Sequence, residues 1–454
     1  MTDLSDEKIV LIGAGSAMFT RGVVSDLIRS QVKADLALVD TDPQALEAAR
    51  RLVEKMVAAR RAPIKVQAAV DRRAVLPGAT AVISTIGVGG RRAWEQDVFI
   101  PRKYGLCYPV GDTVGPGGTS RALRMIPPMI AIARDVLELC PRALFFNYAN
   151  PMAPICRAVR KETGADMIGL CIGTHDTWHY LANELGVPPQ DLAFSAAGIN
   201  HLTWFTRFQI QGQDALPQMQ AAARRHLEHA EQIRMGKEEA AGGAFSSSLG
   251  FPFAWQCLLW FGAFPSPEDR HVTEFFPQLF RTGRYYGRTL GVDEFTFEGT
   301  IASGDMIYEA MRADAFHPDP LDESYFDQLG GEQEQVIEIL LAIRANRMKR
   351  VFANLPNLGQ APGLPAHAIV ETPALTDGLG LHAVVQAPLS PALVGTLATR
   401  FQWVETVVAA ALEGSREKFV EALILDGGAE NPDQAVALAN DLLAAQAAHL
   451  PAFR

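Results

Sequence analysis

A cysteine, Cys171, and a histidine, His201, each follow a short apolar run ending in glycine or a small residue, Gly169-Leu170 and Ala197-Gly198-Ile199-Asn200. Each therefore falls where a strand would end. A thiolate and an imidazole together suit a borderline divalent metal ion. The two are too far apart in sequence to share a helix face, so they form a pair only if both strand ends face one cleft. Taken singly, Cys171 reads as a small buried hydrophobe and His201 as a hydrogen-bonded structural residue.

A second set of residues suits a dinucleotide. Lys8-Ile9-Val10-Leu11-Ile12 runs into Gly13-Ala14-Gly15-Ser16-Ala17-Met18-Phe19, a helical pattern follows through Val23, Leu27 and Ile28, and Leu36-Ala37-Leu38-Val39 ends at Asp40. Strand, glycine turn, helix, strand and acid, in that order, form the βαβ context that gives a glycine motif meaning. Gly13 permits the tight turn, and Gly15 permits close approach of the backbone to a pyrophosphate at the helix N-terminus. Asp40 would accept hydrogen bonds from a ribose diol and repel a 2′-phosphate, which favours NAD over NADP. Met18 stands where the fingerprint has its third glycine. A βα turn that merely needs glycine is the competing reading.

These side chains require a doubly wound parallel sheet to hold them. Ala79–Ile86 and Leu144–Tyr148 read as further buried strands, and open parallel sheets bind ligands beyond the carboxyl ends of their strands. Three polar clusters occupy such positions: Gly111-Asp112-Thr113-Val114-Gly115-Pro116-Gly117-Gly118, too glycine-rich for a helix interior; Asn147-Tyr148-Ala149-Asn150-Pro151-Met152; and Gly169-Leu170-Cys171-Ile172-Gly173-Thr174-His175.

With 454 residues, 48% hydrophobic and 20% charged, the chain has ample material for a core and more than one packed layer. A net charge of −10 argues against a nucleic-acid surface. No apolar run reaches the ~18 residues of a membrane span. The acidic first residues do not read as a signal peptide. Five scattered cysteines without zinc-knuckle spacing suit a reduced cytoplasmic compartment.

The chain resembles glycoside hydrolase family 4, the NAD-dependent glycosidases. The resemblance rests on Ile12-Gly13-Ala14-Gly15-Ser16, Asp112–Gly118, Asn147–Met152, Gly169-Leu170-Cys171, Gly198-Ile199-Asn200-His201, Asn354-Leu355-Pro356-Asn357-Leu358-Gly359 and Ile369-Val370-Glu371-Thr372-Pro373, and so runs from about residue 8 to beyond 420. It implies a lactate/malate-dehydrogenase-like α/β fold, with a Rossmann domain over 1–200 and a C-terminal α+β substrate and oligomerisation domain over 201–454. It also implies a mechanism in which C3 of the sugar is transiently oxidised, the C2 proton becomes acidic, the C1 aglycone leaves by elimination, water adds, and C3 is reduced again. Carried over motif by motif, Cys171 and His201 become ligands of a divalent metal, manganese by preference. Asn150 touches substrate and the metal's outer shell. Gly13, Gly15, Ser16, Met18, Phe19, Asp40 and Asn147 hold NAD. Asp269 is the expected base, with Tyr285 in reserve, while a carboxylate at a helix N-terminus is its plain structural alternative.

Two departures bear on the substrate. Ile172 replaces the polar residue that commonly follows the cysteine, so leaving-group assistance must come from elsewhere, with His175 or Asp176 nearest. Gly89-Gly90 is followed by Arg91-Arg92-Ala93-Trp94, where Trp94 can stack on a sugar or sit in the core. Arg91, Arg92 and Arg270, with Asn150 and His201, are the expected substrate contacts, and arginine forks suit an anionic hexoside such as a sulfoquinovoside or a hexuronide. Pairing of nearby arginines with Glu95, Asp97 and Asp112 is the alternative, which leaves a neutral α-glucoside or α-galactoside. An ordinary NAD-dependent sugar or hydroxy-acid dehydrogenase is the second class; it would accumulate NADH.

Beyond residue 201 the pattern changes. A strand is expected at Phe205–Ile210, and helices at Gln218–Lys237, Glu332–Arg350, Pro391–Leu412 and Asn431–Leu450. Their apolar surface exceeds one layer's need, which suggests a homodimer or homotetramer. Trp255, Trp260, Phe261 and Phe264 read as core or subunit contact.

Overall fold

The computed structural model describes residues 7–16, 18–236, 243–329 and 334–453. The N-terminal segment before Glu7 and the expected helix residues Lys237, Glu332 and Gln333 lie outside the described residues.

Strand and helix alternate through the first half: β1 (Glu7–Ile12), α1 (Phe19–Arg29), β2 (Ala34–Val39), α2 (Pro43–Ala59), β3 (Ile64–Ala69), β4 (Ala81–Ser84), α3 (Gly90–Lys103), α4 (Gly115–Leu139), β5 (Leu144–Asn147), α5 (Met152–Thr163), β6 (Met167–Gly169) and α6 (Gly173–Glu184). The strands pair in parallel in the order β3-β2-β1-β4-β5-β6, the order of dinucleotide-binding sheets, with its reversal between β1 and β4. Period-2 patterning explains burial on both faces. Val10 and Ile12 enter the core under α4 and α5, while Ile9 and Leu11 enter the core under α1 and α2. Local signals set the helix ends. Asp42 caps α2 through the amides of Gln44 and Ala45, with Pro43 in the first turn.

One expectation fails here. Gly115-Pro116-Gly117-Gly118 is not loop but the first turn of α4. The glycines are needed because a Cβ on Gly117 would strike the carbonyls of Gly111 and Asp97, and one on Gly118 would lie 2.5 Å from the Thr113 backbone. The helix start is folded tightly against the Gly111–Val114 segment.

The second half adds β7 (Leu192–Ile199), β8 (Leu202–Ile210), β9 (Gln213–Asp214), α7 (Leu216–Arg234), α8 (Pro252–Phe261), β10 (Phe264–Ser266), α9 (Asp269–Val272), β11 (Arg284–Tyr285), β12 (Arg288–Thr289), α10 (Phe297–Phe316), α11 (Val336–Arg344), β13 (Arg350–Pro356), β14 (Ile369–Asp377), β15 (Gly380–Ala383), α12 (Pro391–Glu413), α13 (Arg416–Asp426) and α14 (Pro432–Ala445). Among the described residues, thirteen strands form one sheet, which continues past β6 through β13, β14, β7, β8 and β10 in antiparallel pairs. The boundary drawn at residue 200 falls in the turn of the β7–β8 hairpin. The helix expected through Arg350 stops at Arg344, where Asn346 takes a left-handed conformation (φ 47°) and Arg350 already begins β13. Trp255 and Phe264 are buried, whereas Trp260 is exposed.

Candidate active site

The sheet register brings the chemistry-bearing residues together. Asn354 on β13 lies opposite Gly169 at the end of β6, and Glu371 on β14 lies opposite Gly198 near the end of β7. The strand ends that carry Cys171 and His201 are thereby drawn to one place. His201 occupies the β7–β8 turn with φ 68°, a left-handed conformation that is rare for a non-glycine residue and is concentrated at functional sites. Its Nε2 lies 3.5 Å from the Cys171 sulfur.

Second contacts fix which way the histidine faces. Thr113 Oγ1 donates to Asp112 Oδ1 (2.7 Å), since the carboxylate only accepts, and so accepts from His201 Nδ1–H at 2.9 Å. That leaves the Nε2 lone pair aimed at Cys171, the tautomer a metal ligand needs. Asn150 Nδ2 donates to the other oxygen of Asp112 (3.0 Å), and Arg121 Nε holds the Asn150 carbonyl (3.0 Å). Burial pushes the Cys171 thiol up to about 12, with the Glu371 carboxylate adding to the effect. Burial also lowers the His201 and His271 imidazoles, whose rings lie 4.1 Å apart. A cation would reverse this balance for the thiol. A sulfur and a nitrogen bound to one tetrahedral ion by bonds of about 2.3 and 2.1 Å stand about 3.6 Å apart, so the observed pair fits a shared metal.

Glu371 anchors the whole arrangement. Its buried carboxylate accepts from Thr174 (2.6 Å), Thr203 (2.7 Å), Asn200 (3.2 Å) and Asn354 (3.0 Å). These donors come from the segments after β6, around the β7–β8 turn and on β13.

Next to the pair opens a cavity of about 500 Å³, lined by Phe19, Tyr148, Asn150, Cys171 and His201 among others. Its remaining ionisable walls include Asp176, Glu268, Glu334 and His271, and no lysine or arginine lines it among the described residues. Phe19, the first residue of α1, packs on Tyr148 at 5.4 Å and joins this cavity to the glycine turn.

That turn has the shape of a dinucleotide cradle. Gly13 has φ 92°, and a Cβ there would lie 2.8 Å from the Ile86 nitrogen. Gly15 is also required by its packing. Its amide donates to Asp40 Oδ2 (2.8 Å), and a Cβ would strike Ala45 and Asp40. Ser16 accepts from the Phe19 amide (3.3 Å), and Met18 is exposed at the helix start. Asn147 does not reach the cleft. It is fully buried, and its amide closes the turn onto Ala149.

Several expected residues stand elsewhere. Asp269 is outside the cavity wall, with its carboxylate held by the amides of Phe253 (2.7 Å) and Ala254 (2.8 Å) at the start of α8 and by the Tyr285 hydroxyl (2.6 Å). Base and reserve base thus bind each other in the core. His175 turns away to lie 4.2 Å from His179. Arg91 and Arg92 both pair with Asp305 on α10 at the surface, and Arg124 pairs with Asp97 in the core. Trp94 is half-buried: it donates to the Val110 carbonyl and packs edge-on against Phe297. Arg270 is buried behind the cavity, donates to Thr300 (3.3 Å) and stacks over Phe245. Sequence reasoning missed Glu268 and His271 as cavity walls and Glu371 as an anchor. Their only signal was closeness in sequence to Asp269 for the first two and membership of the Ile369–Pro373 motif for Glu371.

Sheet order, glycine cradle and strand-end cleft define an α/β enzyme of the lactate/malate-dehydrogenase-like class. A malate dehydrogenase from Cryptosporidium parvum superposes with a TM-score of 0.50 at 13% identity, over 90% of this chain and 99% of that one. A 6-phospho-alpha-glucosidase from gut microorganisms, solved in complex with NAD and Mn2+, shares the fold more fully, with a TM-score of 0.81 at 18% identity over 99% of this chain and 100% of that one. The sequence matches the family 4 glycosyl hydrolases over residues 8–187 and their C-terminal domain over residues 196–427. Relatives include an alpha-glucosidase of Erwinia rhapontici, 30% identical over 92% of this chain and 93% of that protein, and an alpha-galacturonidase of Lachnoclostridium phytofermentans, 28% identical over 99% and 97%. The chain belongs to glycosyl hydrolase family 4, and is an NAD-dependent glycoside hydrolase.

Proposed function

We propose that this protein hydrolyses a neutral α-hexoside, using NAD and a divalent metal ion. The observation that carries the reading is the Cys171–His201 pair at 3.5 Å, opening onto a cavity that Phe19, the first residue of α1 after the glycine turn, also lines. Cys171 and His201 would hold the ion, which when bound supplies Lewis-acid polarisation of sugar oxygens. Gly13, Gly15, Ser16 and Asp40 would hold NAD, which when bound supplies reversible hydride acceptance at C3. Asn150, fixed by Asp112 and Arg121, presents a neutral amide to the sugar.

The preference for a neutral sugar rests on the cavity wall. Among the described residues no lysine or arginine lines it, so a carboxylate or sulfonate on the sugar would meet no cation there. Arg91 and Arg92, on which an anionic substrate was expected, are engaged by Asp305. A hexuronide is the second reading, favoured by the buried, partnerless Nε of Arg270 and by the alpha-galacturonidase relatives. A cytoplasmic location and a homo-oligomeric state belong to the same proposal, supported by the free thiols and by exposed Trp260, Leu358 and Leu379.

The test is aglycone release from nitrophenyl α-glucoside, α-galactoside and α-galacturonide, with and without NAD and Mn2+. NAD-dependent release without net NADH, fastest on a neutral sugar, is expected. Steady NADH production without release would replace the glycosidase with a sugar dehydrogenase.

A further inference from the structure

Hydrolysis of a glycoside ends with a proton on the departing oxygen, and alkyl aglycones leave poorly without one. Cys171 is followed by Ile172, an apolar cavity wall that has no proton to give. Beside that loop, and also lining the cavity, stands the segment after β10. Ser266 Oγ meets Thr177 Oγ1 at 2.9 Å, and Pro267 packs so closely on the Cys171–Gly173 loop that a Cβ on Gly173 would lie 2.8 Å from the Pro267 Cβ. Asp269 is tied by three hydrogen bonds to α8 and Tyr285. Between these two anchors sits Glu268. It is a cavity wall, it is half-buried, and its carboxylate has no hydrogen-bond partner among the described residues.

From this geometry we propose that Glu268 is the general acid that protonates the leaving aglycone oxygen. The assignment rests on the glycosidase reading above. The C1–O bond breaks with its electron pair going to the aglycone oxygen, which takes the Glu268 proton. The water whose oxygen bonds to C1 returns a proton to the Glu268 carboxylate, so the residue ends each turnover as it began. Burial, reinforced by the Asp176 charge and opposed by Arg270, raises the Glu268 carboxyl above its ordinary value, the direction a proton donor needs. Asp176 is the less suitable acid, since its side chain is 67% exposed and lies 3.6 Å from His175.

The experiment compares Glu268→Gln and Asp176→Asn with the wild type on a methyl α-hexoside and on the matching 2,4-dinitrophenyl α-hexoside, at saturating NAD and Mn2+. A dinitrophenolate departs without protonation, so it reports whether folding and the remaining chemistry are intact. Glu268→Gln is expected to lower kcat on the methyl glycoside by about 100-fold or more and on the dinitrophenyl glycoside by less than about 10-fold. Asp176→Asn is expected to change the two substrates alike, as a wall residue that passes no proton to the aglycone would. For Glu268→Gln, equal loss on the two substrates, or no loss on either, overturns the assignment. If the wild type releases neither aglycone, the glycosidase reading falls and Glu268 falls with it.

Discussion

Asn354 and Glu371 stand opposite one another on β13 and β14, and their side chains meet at 3.0 Å. Through Thr174 and Asn200 the same carboxylate reaches the residues that follow Cys171 and precede His201. Glu371→Ala would remove the shared acceptor of four buried donors, a loss of about 3 kcal/mol or more. Chemical denaturation should show a much lower midpoint than for Asn354→Ala, which removes one donor and leaves the other three paired. Equal midpoints for the two variants would deny Glu371 its role as anchor.

Thr113 should matter to metal binding without touching metal. Thr113→Val removes the oxygen that accepts from His201 Nδ1–H, so the ring loses the bond that fixes its tautomer. Affinity for Mn2+, measured calorimetrically, is expected to fall about 10- to 100-fold. Thr113→Ser keeps the hydroxyl and should retain near wild-type affinity.

NAD binding is expected to depend on the absence of a side chain at Gly13. Gly13→Ala places a methyl group 2.8 Å from backbone atoms of Thr85 and Ile86 at a φ of 92° that L residues rarely adopt. NAD affinity, followed by quenching of tryptophan fluorescence or by calorimetry, should fall at least about tenfold, a loss near 1.4 kcal/mol. Wild-type affinity would show that the turn does not hold the cofactor.

Two buried carboxyls set a pH dependence of stability. Burial pushes Glu274 up to about 8, against the pull of the Val110 and Gly111 amides, and Asp269 up to about 7. In the unfolded chain both ionise near 4. Between about pH 4 and 8 the folded state therefore binds more protons than the unfolded state, and stability falls as pH rises. Denaturation midpoints should decline from pH 6 to pH 8.5, and Glu274→Gln should flatten the upper part of that decline. A midpoint that rises over this range would contradict the sign.

What was local in the sequence could be read from it. The first βαβ unit, its glycine turn and Asp40 lie within one stretch whose apolar runs and breaks follow strand and helix periods. Cys171 and His201 could each be placed at a strand end, while their meeting depends on pairing through β13 and β14. Roles set by tertiary pairing could not be read this way. Asp269 and Glu268 are adjacent acids in one segment, and only the packing of α8 decides that the first turns inward and the second faces the cavity. The arginines misled for a similar reason, because Asp305 lies on a helix far along the chain. At Gly15 a further need for glycine comes from the closeness of Asp40 and Ala45, which the local pattern does not show.

The unbroken sheet from β3 to β10 has a mechanical consequence. The N-terminal and C-terminal family segments share backbone hydrogen bonds across the middle of the molecule, so neither can swing against the other like the lobes of a clam. A cut in the turn between β7 and β8 would sever a hairpin rather than release two independent folding units. Cys171 and His201 follow strands of this one sheet, so their spacing is set by strand pairing and not by how two lobes are placed.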